Sequence, residues 1–421
     1  MTRTHNFDGK FFGMVFIMFL GFMTSTYAQQ GFVEYKGKVL DTQNREPLVF
    51  VNLNLKDTNI STVTNTEGEF VLKVSEEIKN SVVIFSLLGY EQKEVALVNL
   101  GDGKVFLDQK VTQLSEVNLT AFNNPESLVR KVFQEKAKNN ASESVLMTAF
   151  YRETIKRRNR NVSLTEAVVN LYKQPYTSPT KDMITLHKAR KSTDYKRLDT
   201  VAVKLQGGPF STLYLDIMKY PEYIFTNETI EFYNFSFDAP SAVNDRPVYV
   251  VKFEQKPSVV GSGYRGKLFI DAESLALTSA TYALNIKNSK EASELFVRKK
   301  PRDINVYPTQ AAYRVDYRQK NGKWYYGYGS VQLTFKVNKR RKLFNSVYTL
   351  SSEMAVTDWE FNTTGFSGKP KDRLKPTIII ADAVSGFSDP DFWGPYNVIE
   401  PEKSIESAIN KIKRKIRREK G

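Results

Sequence analysis

The chain has 421 residues, no cysteine, two histidines and a formal net charge of +15. The absence of cysteine excludes thiol catalysis, cysteine-ligated zinc and iron–sulfur clusters. His5 falls in the N-terminal segment, and His187 alone cannot supply the two or three histidines of most catalytic zinc sites. A chain of this length can bury enough surface in two or three domains to fold without disulfides.

The N-terminus has the three-part pattern of a secretory signal peptide. A weakly positive start precedes the almost wholly apolar residues 11–23, and the small residues Thr26 and Ala28 follow. We expect cleavage between Ala28 and Gln29, so that residues 1–28 are removed. An uncleaved anchor is the alternative, but the apolar run falls short of the roughly 20 residues that a spanning helix needs. We expect no transmembrane helix in the mature chain.

Basic side chains concentrate in residues 152–160, 188–197, 336–342 and 411–421. In an exported protein, anionic lipid or acidic glycan suits such clusters better than nucleic acid does. The alternative is a solvated basic face that only keeps the protein soluble.

Residues 32–120 predict an antiparallel β-sandwich. Short apolar stretches recur about every 10 residues with turn signals between them. Several stretches alternate inward- and outward-facing positions, as at Val49, Val51, Leu53 and Leu55. The tetrapeptide 65–68 is typical of a tight turn in which Gly68 takes a positive φ.

Four motifs follow one another in this segment. They are GKVLD at 37–41, PLVFV at 47–51, TNTEGEF at 64–70 and VIFSLLGY at 83–90. Together they resemble the carboxypeptidase-regulatory-like domain of Bacteroidetes envelope proteins, which also precedes many TonB-dependent receptors. The resemblance implies a non-catalytic, immunoglobulin- or transthyretin-like sandwich that serves as a spacer or interaction module. It also implies structural roles for Gly68, Gly89 and Tyr90, and a location in the periplasm or at the outer-membrane periphery of a Gram-negative cell.

Residues 121–143 predict a linker and a short helix. Asn124 can cap the helix, Pro125 suits its first turn and Glu126 lies near its positive end. We expect this helix to end near residue 137 and to pack on the next domain.

Residues 144–362 predict a larger antiparallel β domain with long, aromatic-rich strands. Asn321-Gly322 stands between two alternating segments and is the strongest short hairpin signal in the chain. A strand is also predicted at 200–205, and a helical or irregular insert at 215–230. Because a large twisted sheet must bury one face, we expect a barrel or a half-barrel.

The run YRGKLFID at 264–271, with LAL at 275–277, resembles the strand–turn–strand rhythm of periplasmic lipoprotein-carrier-like half-barrels. This resemblance implies an apolar cavity for a lipid-like ligand. The alternative is an ordinary filled core.

Residues 363–400 predict a loop segment, with one short strand at 377–381. Residues 389–405 resemble the closing segment of Bacteroidetes proteins that share this domain order, which implies no particular activity. Phe392, Trp393 and Tyr396 predict a plug of aromatic rings against the β domain. A platform on which sugar rings stack is the alternative for these three aromatic residues.

Residues 401–421 predict a basic amphipathic helix. Its isoleucines form a narrow apolar stripe, and bases that include Lys411, Arg414 and Arg418 crowd the rest. Such a helix can lie on an anionic membrane. Alternatively, it packs its stripe on its own domain.

The sequence offers no recognised catalytic centre. There is no GxSxG elbow to pair with His187, and the GSGYRG run at 261–266 leads into a predicted strand where a phosphate-binding loop would need a helix. Glu166 and Asp271 are acids in strands with alternating polarity, and acids in such strands usually lie on the solvent-exposed face of the sheet. We therefore expect a non-catalytic envelope protein without cofactor or metal, which binds an envelope protein, an anionic lipid or a glycan. A carboxylate-based hydrolase acting on a glycan is the alternative.

Overall fold

The computed structural model describes residues 31–402 except 101–102, 111–121, 159, 194–206, 225, 227, 240, 244–245, 297–302, 340–344, 363, 367 and 385–389. The predicted cleavage site at Ala28 and Gln29 lies outside the described residues. So do the strand predicted at 200–205 and the basic helix with Lys411, Arg414 and Arg418. In the part of the chain that is described, no helix is long and apolar enough to cross a membrane.

The N-terminal module is a sandwich of two small sheets. One sheet has the order β4-β1-β7 and the other β3-β2-β5-β6. The pairing of β1 with β7 is parallel, and the other pairs are antiparallel. The strands are β1 (Phe32–Asp41), β2 (Asn52–Leu55), β3 (Ser61–Val63), β4 (Glu69–Ser75), β5 (Val82–Ser86), β6 (Lys93–Ala96) and β7 (Lys104–Leu107).

The core of the sandwich follows from the alternation seen in the sequence. Leu53 and Leu55 of β2 point into a buried apolar cluster, whereas Asn52 and Asn54 point away from it. The predicted turn is confirmed, because Gly68 has φ +73°. A Cβ at this position would stand 2.7 Å from the backbone oxygen of Val39, so glycine is required there on two grounds.

The larger module is one extended antiparallel sheet. Its strand order is β10-β9-β8-β18-β17-β16-β15-β14-β13-β11, and β12 pairs with β13. The edge strands β10 and β11 do not pair with each other in the described residues, so the closed barrel among the two predicted forms is wrong. The strands are β8 (Ser144–Arg157), β9 (Arg160–Lys173), β10 (Met183–Thr193), β11 (Tyr233–Phe237), β12 (Ser241–Val243), β13 (Arg246–Gln255), β14 (Tyr264–Asp271), β15 (Leu277–Leu284), β16 (Ile304–Lys320), β17 (Lys323–Lys339) and β18 (Ser346–Asn362).

The hairpin predicted at Asn321-Gly322 is confirmed. It joins β16 and β17, and both turn residues have positive φ, +51° and +74°. Such a two-residue turn matches the right-handed twist of the strands on either side.

One face of the large sheet, which we call the inner face, carries the main apolar core. Several segments cover it: α1 (Pro125–Gln134), the irregular insert 207–233 with α3 (Phe210–Leu213), and α5 (Ile380–Ala383). Leu128, Leu213, Ile217 and Ile380 from these segments belong to the same buried cluster as the strands. Where these segments cover it, the inner face is a filled core, the alternative to the lipid cavity. Two further helices are α2 (Lys136–Asn139) and α4 (Ser289–Phe296).

The strand predicted at 377–381 is wrong. Its apolar run packs on the insert and does not join a sheet: Ile378 and Ile380 lie against Gly208. The backbone N–H of Gly207 donates to the oxygen of Ile378 at 2.8 Å, and the chain then enters α5. The apolar residues were a true signal of burial, but not of strand pairing.

A buried ion network ties the insert to the inner face. Lys173 Nζ lies 2.6 Å from Asp182 Oδ2 and 2.7 Å from Asp216 Oδ2. Tyr317 donates its hydroxyl to Asp216 Oδ1 at 3.0 Å. All three charges are buried, and each has a partner of opposite sign.

Candidate functional site

The opposite side of the large sheet, the outer face, receives the sandwich. Strand β3 runs beside β18, where Ser61 Oγ donates to the backbone oxygen of Val356 at 3.1 Å. The amide of Asn59 donates to the backbone oxygen of Trp359. The two β modules therefore contact each other directly through strands.

Residues 390–402, which we call the bridging segment, contact both modules. Asn397 imitates a strand partner for Lys73: its Oδ1 accepts from Lys73 N at 2.7 Å, and its Nδ2 donates to Lys73 O at 3.0 Å. Thr62 Oγ1 donates to the backbone oxygen of Val398 at 3.2 Å. Asn65 Nδ2 donates to that of Glu400 at 3.1 Å. These bonds fix the bridging segment to the sandwich.

The aromatic residues of the bridging segment lie in the joint between the modules. Trp393 is 5% exposed and meets Phe150 of the large sheet edge-to-face at 5.5 Å. The guanidinium of Arg190 lies 4.9 Å from the centre of its ring. Tyr396 shares a 2.7 Å hydrogen bond with His187 Nε2. Trp393 thus packs between protein groups, and a sugar ring has no open face of it to stack on.

The two acids singled out in the sequence are held in ion pairs. Arg152 and Arg190 approach the two oxygens of Glu166 at 2.8 Å and 2.7 Å. Burial raises the pKa of Glu166, but the two guanidinium groups outweigh it and hold that pKa below its usual value. Arg152 also donates to the backbone oxygen of Ile399 at 2.7 Å. Asp271 lies 2.8 Å from Arg246 Nε.

A cleft of about 360 Å³ lies between the sandwich and the outer face. Strand alternation explains its lining. In β2 the leucines turn into the sandwich core, so the asparagines face the cleft. In β16, Val315 and Tyr317 belong to the inner core, so Arg314, Asp316 and Arg318, which alternate with them, face outward. The polar lining includes Asn52, Asn54, Ser86 and Gln92 from the sandwich, and Ser279, Arg314, Asp316, Arg318 and Lys320 from the large sheet.

The cleft has an excess of positive charge among its half-buried and buried groups. Asp316 accepts from Arg314 Nε at 2.7 Å and from Ser279 Oγ at 2.5 Å, so Arg314 and Asp316 neutralise each other. Lys320 Nζ donates to Thr58 O at 3.3 Å and also to the side chain of Asn59. The acceptors of Lys320 are neutral, and its charge is not cancelled by them.

Arg318 is the most buried cation of the cleft. Its side chain donates through Nη1 to the hydroxyl of Ser61. Burial lowers the pKa of Arg318 to about 10, against a smaller opposing effect of Asp316. The guanidinium therefore stays charged at neutral pH, although it is withdrawn from water.

Comparison with known families bears on the N-terminal module. Residues 35–119 match the family model of the CarboxypepD_reg-like domain. The sandwich is a carboxypeptidase-regulatory-like domain. The domain type predicted from the four sequence motifs is thereby confirmed, and this domain forms one wall of the cleft. No curated protein matches the chain.

Three solved structures show remote likeness. An outer membrane lipoprotein-sorting protein domain from Vibrio parahaemolyticus is 11% identical in sequence. Its TM-score is 0.25, and the match covers 58% of this chain and 94% of that one. A DUF1329 family protein from Desulfovibrio piger is 10% identical, with a TM-score of 0.25 over 58% and 96%. A LolA superfamily protein from Nitrosomonas europaea is 9% identical, with a TM-score of 0.20 over 56% and 95%. These TM-scores are too low to support an argument about this chain.

Sequence reasoning missed the cleft residues. The alternation of Arg314, Asp316, Arg318 and Lys320 was a signal that they share one face of β16. It could not show that the sandwich covers this face. Conversely, Arg152 and Arg190 belong to clusters singled out as basic patches, yet both are buried in ion pairs.

Proposed function

We propose that the protein is an exported, non-catalytic envelope protein that binds a glycan in the cleft between its two β modules. The observation that carries the proposal is the composition of the cleft walls. Side-chain amides, hydroxyls and the exposed Lys56 and Asp57 come from the sandwich, and cations, the carboxylate of Asp316 and hydroxyls come from the large sheet. A few convergent polar groups of this kind orient a ligand rich in hydroxyl groups.

In this proposal the sandwich is part of the binding site and more than a spacer. Its β3 strand bonds to β18, and the bridging segment joins both modules. The spacing between the two walls is therefore set by protein contacts before a ligand arrives. Such pre-organisation reduces the entropy that binding must overcome.

The packing of the inner face supports a glycan over a lipid-like ligand. Side chains of α1, the insert and α5 occupy the apolar side of the sheet. The cleft lies on the other side and is lined by polar groups.

Two carboxylates line the cleft, and their surroundings support binding over hydrolysis: Asp57 is exposed, and Asp316 is held in an ion pair. Asp316 is engaged by Arg314 and Ser279. A glycosidase needs two carboxyl groups placed on either side of the scissile bond. The proposed envelope location depends on the N-terminal signal pattern, and sequencing the mature N-terminus tests it, with Gln29 as the expected first residue.

A printed array of neutral and acidic polysaccharides tests the proposal with the full mature protein. Gln92→Trp fills the cleft from the sandwich side, and we expect it to lower glycan binding at least tenfold. Gln310→Trp is the matched control, because Gln310 is exposed on β16 outside the cleft lining. Equal binding by both variants, or no glycan retained by the wild type, would contradict the proposal.

A further inference from the structure

The side chain of Arg318 is buried in a space that a glycine of the neighbouring strand leaves open. This side chain lies on the outer face over Gly327 of β17 and is 5% exposed. A Cβ at Gly327 would stand 2.8 Å from Arg318 Cγ and 3.1 Å from Nε. The glycine therefore makes room for the arginine stem, next to the irregularity in the pairing of β16 with β17 between Asp316 and Tyr317.

The guanidinium is satisfied on one side only. Nη1 donates to Ser61, whereas Nε and Nη2 are buried and meet no acceptor among the described residues. These two nitrogens form one edge of the guanidinium, the edge that pairs with both oxygens of a carboxylate or phosphate. The carboxylate of Asp316 in the same cleft is already engaged by Arg314 and Ser279.

An unpaired edge of this kind is unfavourable unless a partner completes it. A buried charge without a counterion is strongly destabilising. An acid or a lysine can escape that cost by changing its protonation, but an arginine keeps its charge at neutral pH. The partner of this edge must therefore be an acceptor that comes from outside the described chain.

The opposite wall of the cleft offers a complementary group. Asn52 Oδ1 is a buried acceptor with no donor among the residues that the structure describes. It belongs to the sandwich, and Arg318 belongs to the large sheet. One molecule that carries both an oxyanion and a hydroxyl group would satisfy the two walls together, as an acidic sugar does.

We propose that the ligand of the cleft is an acidic glycan whose carboxylate or phosphate group binds Arg318 through Nε and Nη2. The inference rests on the proposed function and adds the charge of the ligand and the residue that recognises it. Lys320 contributes positive potential at the same end of the cleft.

Isothermal titration of the full mature protein, at physiological ionic strength, tests the inference. The probes are D-galacturonate, inorganic phosphate and neutral D-galactose, which separate a carboxylate, a phosphate and an uncharged sugar. We expect at least one anion to bind at least tenfold more tightly than galactose. Failure of both anions to bind more tightly than galactose would overturn the inference.

Two substitutions of Arg318 and one control assign the binding to its free edge. Arg318→Met should weaken anion binding about 10- to 100-fold, the usual effect of losing charged hydrogen bonds. Arg318→Lys keeps the positive charge but loses the paired N–H donors of the guanidinium, so it should also weaken anion binding, by about tenfold. Arg265→Met removes an exposed arginine outside the cleft and should leave the affinity unchanged.

A second measurement does not require a ligand. Arg318→Met removes a buried unpaired charge, so the variant should melt at a higher temperature than the wild type in the absence of anion. A lower melting temperature would contradict the claim that the edge is unpaired.

The failures of the two proposals can be told apart. If Arg318→Met binds acidic and neutral probes as the wild type does, while Gln92→Trp abolishes glycan binding, only the anion inference is wrong. If Gln92→Trp leaves glycan binding unchanged, the cleft itself is not the binding site.

Discussion

The two faces of the large sheet differ in how many partners their buried cations have within the chain. On the inner face, Lys173 meets two aspartates, and the carboxylates accept further bonds from Tyr317 and from the backbone N–H of Gln174. On the outer face, Arg318 has one hydroxyl acceptor and a free edge. A charge that the chain compensates itself serves the fold, whereas a charge that it leaves uncompensated indicates a ligand.

Glu153, also on the inner face, is a buried carboxyl group that can avoid carrying a charge. Its carboxyl is buried and accepts a 3.0 Å hydrogen bond from the hydroxyl of Tyr151. Burial raises the pKa of Glu153 to about 7, and the nearby Asp382 adds to this rise. A carboxyl can therefore avoid an uncompensated charge by keeping its proton, which the arginine of the cleft cannot do at neutral pH.

The largest effect is expected at the compensated network. Lys173→Met leaves two buried carboxylates without their cation, and we expect a loss of about 5 kcal/mol in the free energy of unfolding. Chemical denaturation measures it. Lys181→Met, at an exposed lysine nearby, is the control and should change stability by less than about 0.5 kcal/mol. Equal stability of the two variants would contradict the structural role of the network.

The joint between the modules is the next most sensitive place. Trp393→Ala removes a buried ring from between the sandwich and the large sheet, and we expect a loss of about 3–4 kcal/mol. Phe361→Ala removes a ring that is 39% exposed and should cost less than half as much. Calorimetry of both variants checks this, and similar losses would show that the bridging segment is not a principal contact.

The smallest of the three effects depends on pH. Because the pKa of Glu153 is higher in the folded protein, its contribution to stability is fully present below the ordinary glutamate pKa and is lost as the pH rises through about 7. Glu153→Gln should therefore be more stable than the wild type at pH 8, by about 2–3 kcal/mol, with a smaller difference at pH 5. Glu254→Gln, at an exposed glutamate, should show no such pH dependence. A constant difference between Glu153→Gln and the wild type across this range would show that Glu153 does not titrate as described.

Local features of the fold could be predicted because they depend on neighbours in the sequence. The positive φ at Gly68, the turn at Asn321-Gly322 and the alternation of β2 all follow from residues within a few positions. The apolar run at 377–381 predicted burial correctly but the wrong element, because its partner is Gly208 of a distant insert.

The candidate site could not be predicted, since it is a product of long-range contacts. The hydroxyl that receives Arg318 belongs to Ser61, 257 residues earlier in the chain. Alternation along β16 places Arg318 on one face, but only the docking of the sandwich makes that face a cleft wall.

The most direct test of the comparison is to make the same substitution on the two faces. Lys173→Met and Arg318→Met each replace one buried cation by an apolar side chain, and their unfolding free energies can be measured side by side without a ligand. We predict opposite signs: Lys173→Met lowers the stability of the protein, and Arg318→Met raises it. A loss of stability in both variants would contradict the account, because it would mean that the chain itself compensates the charge of Arg318.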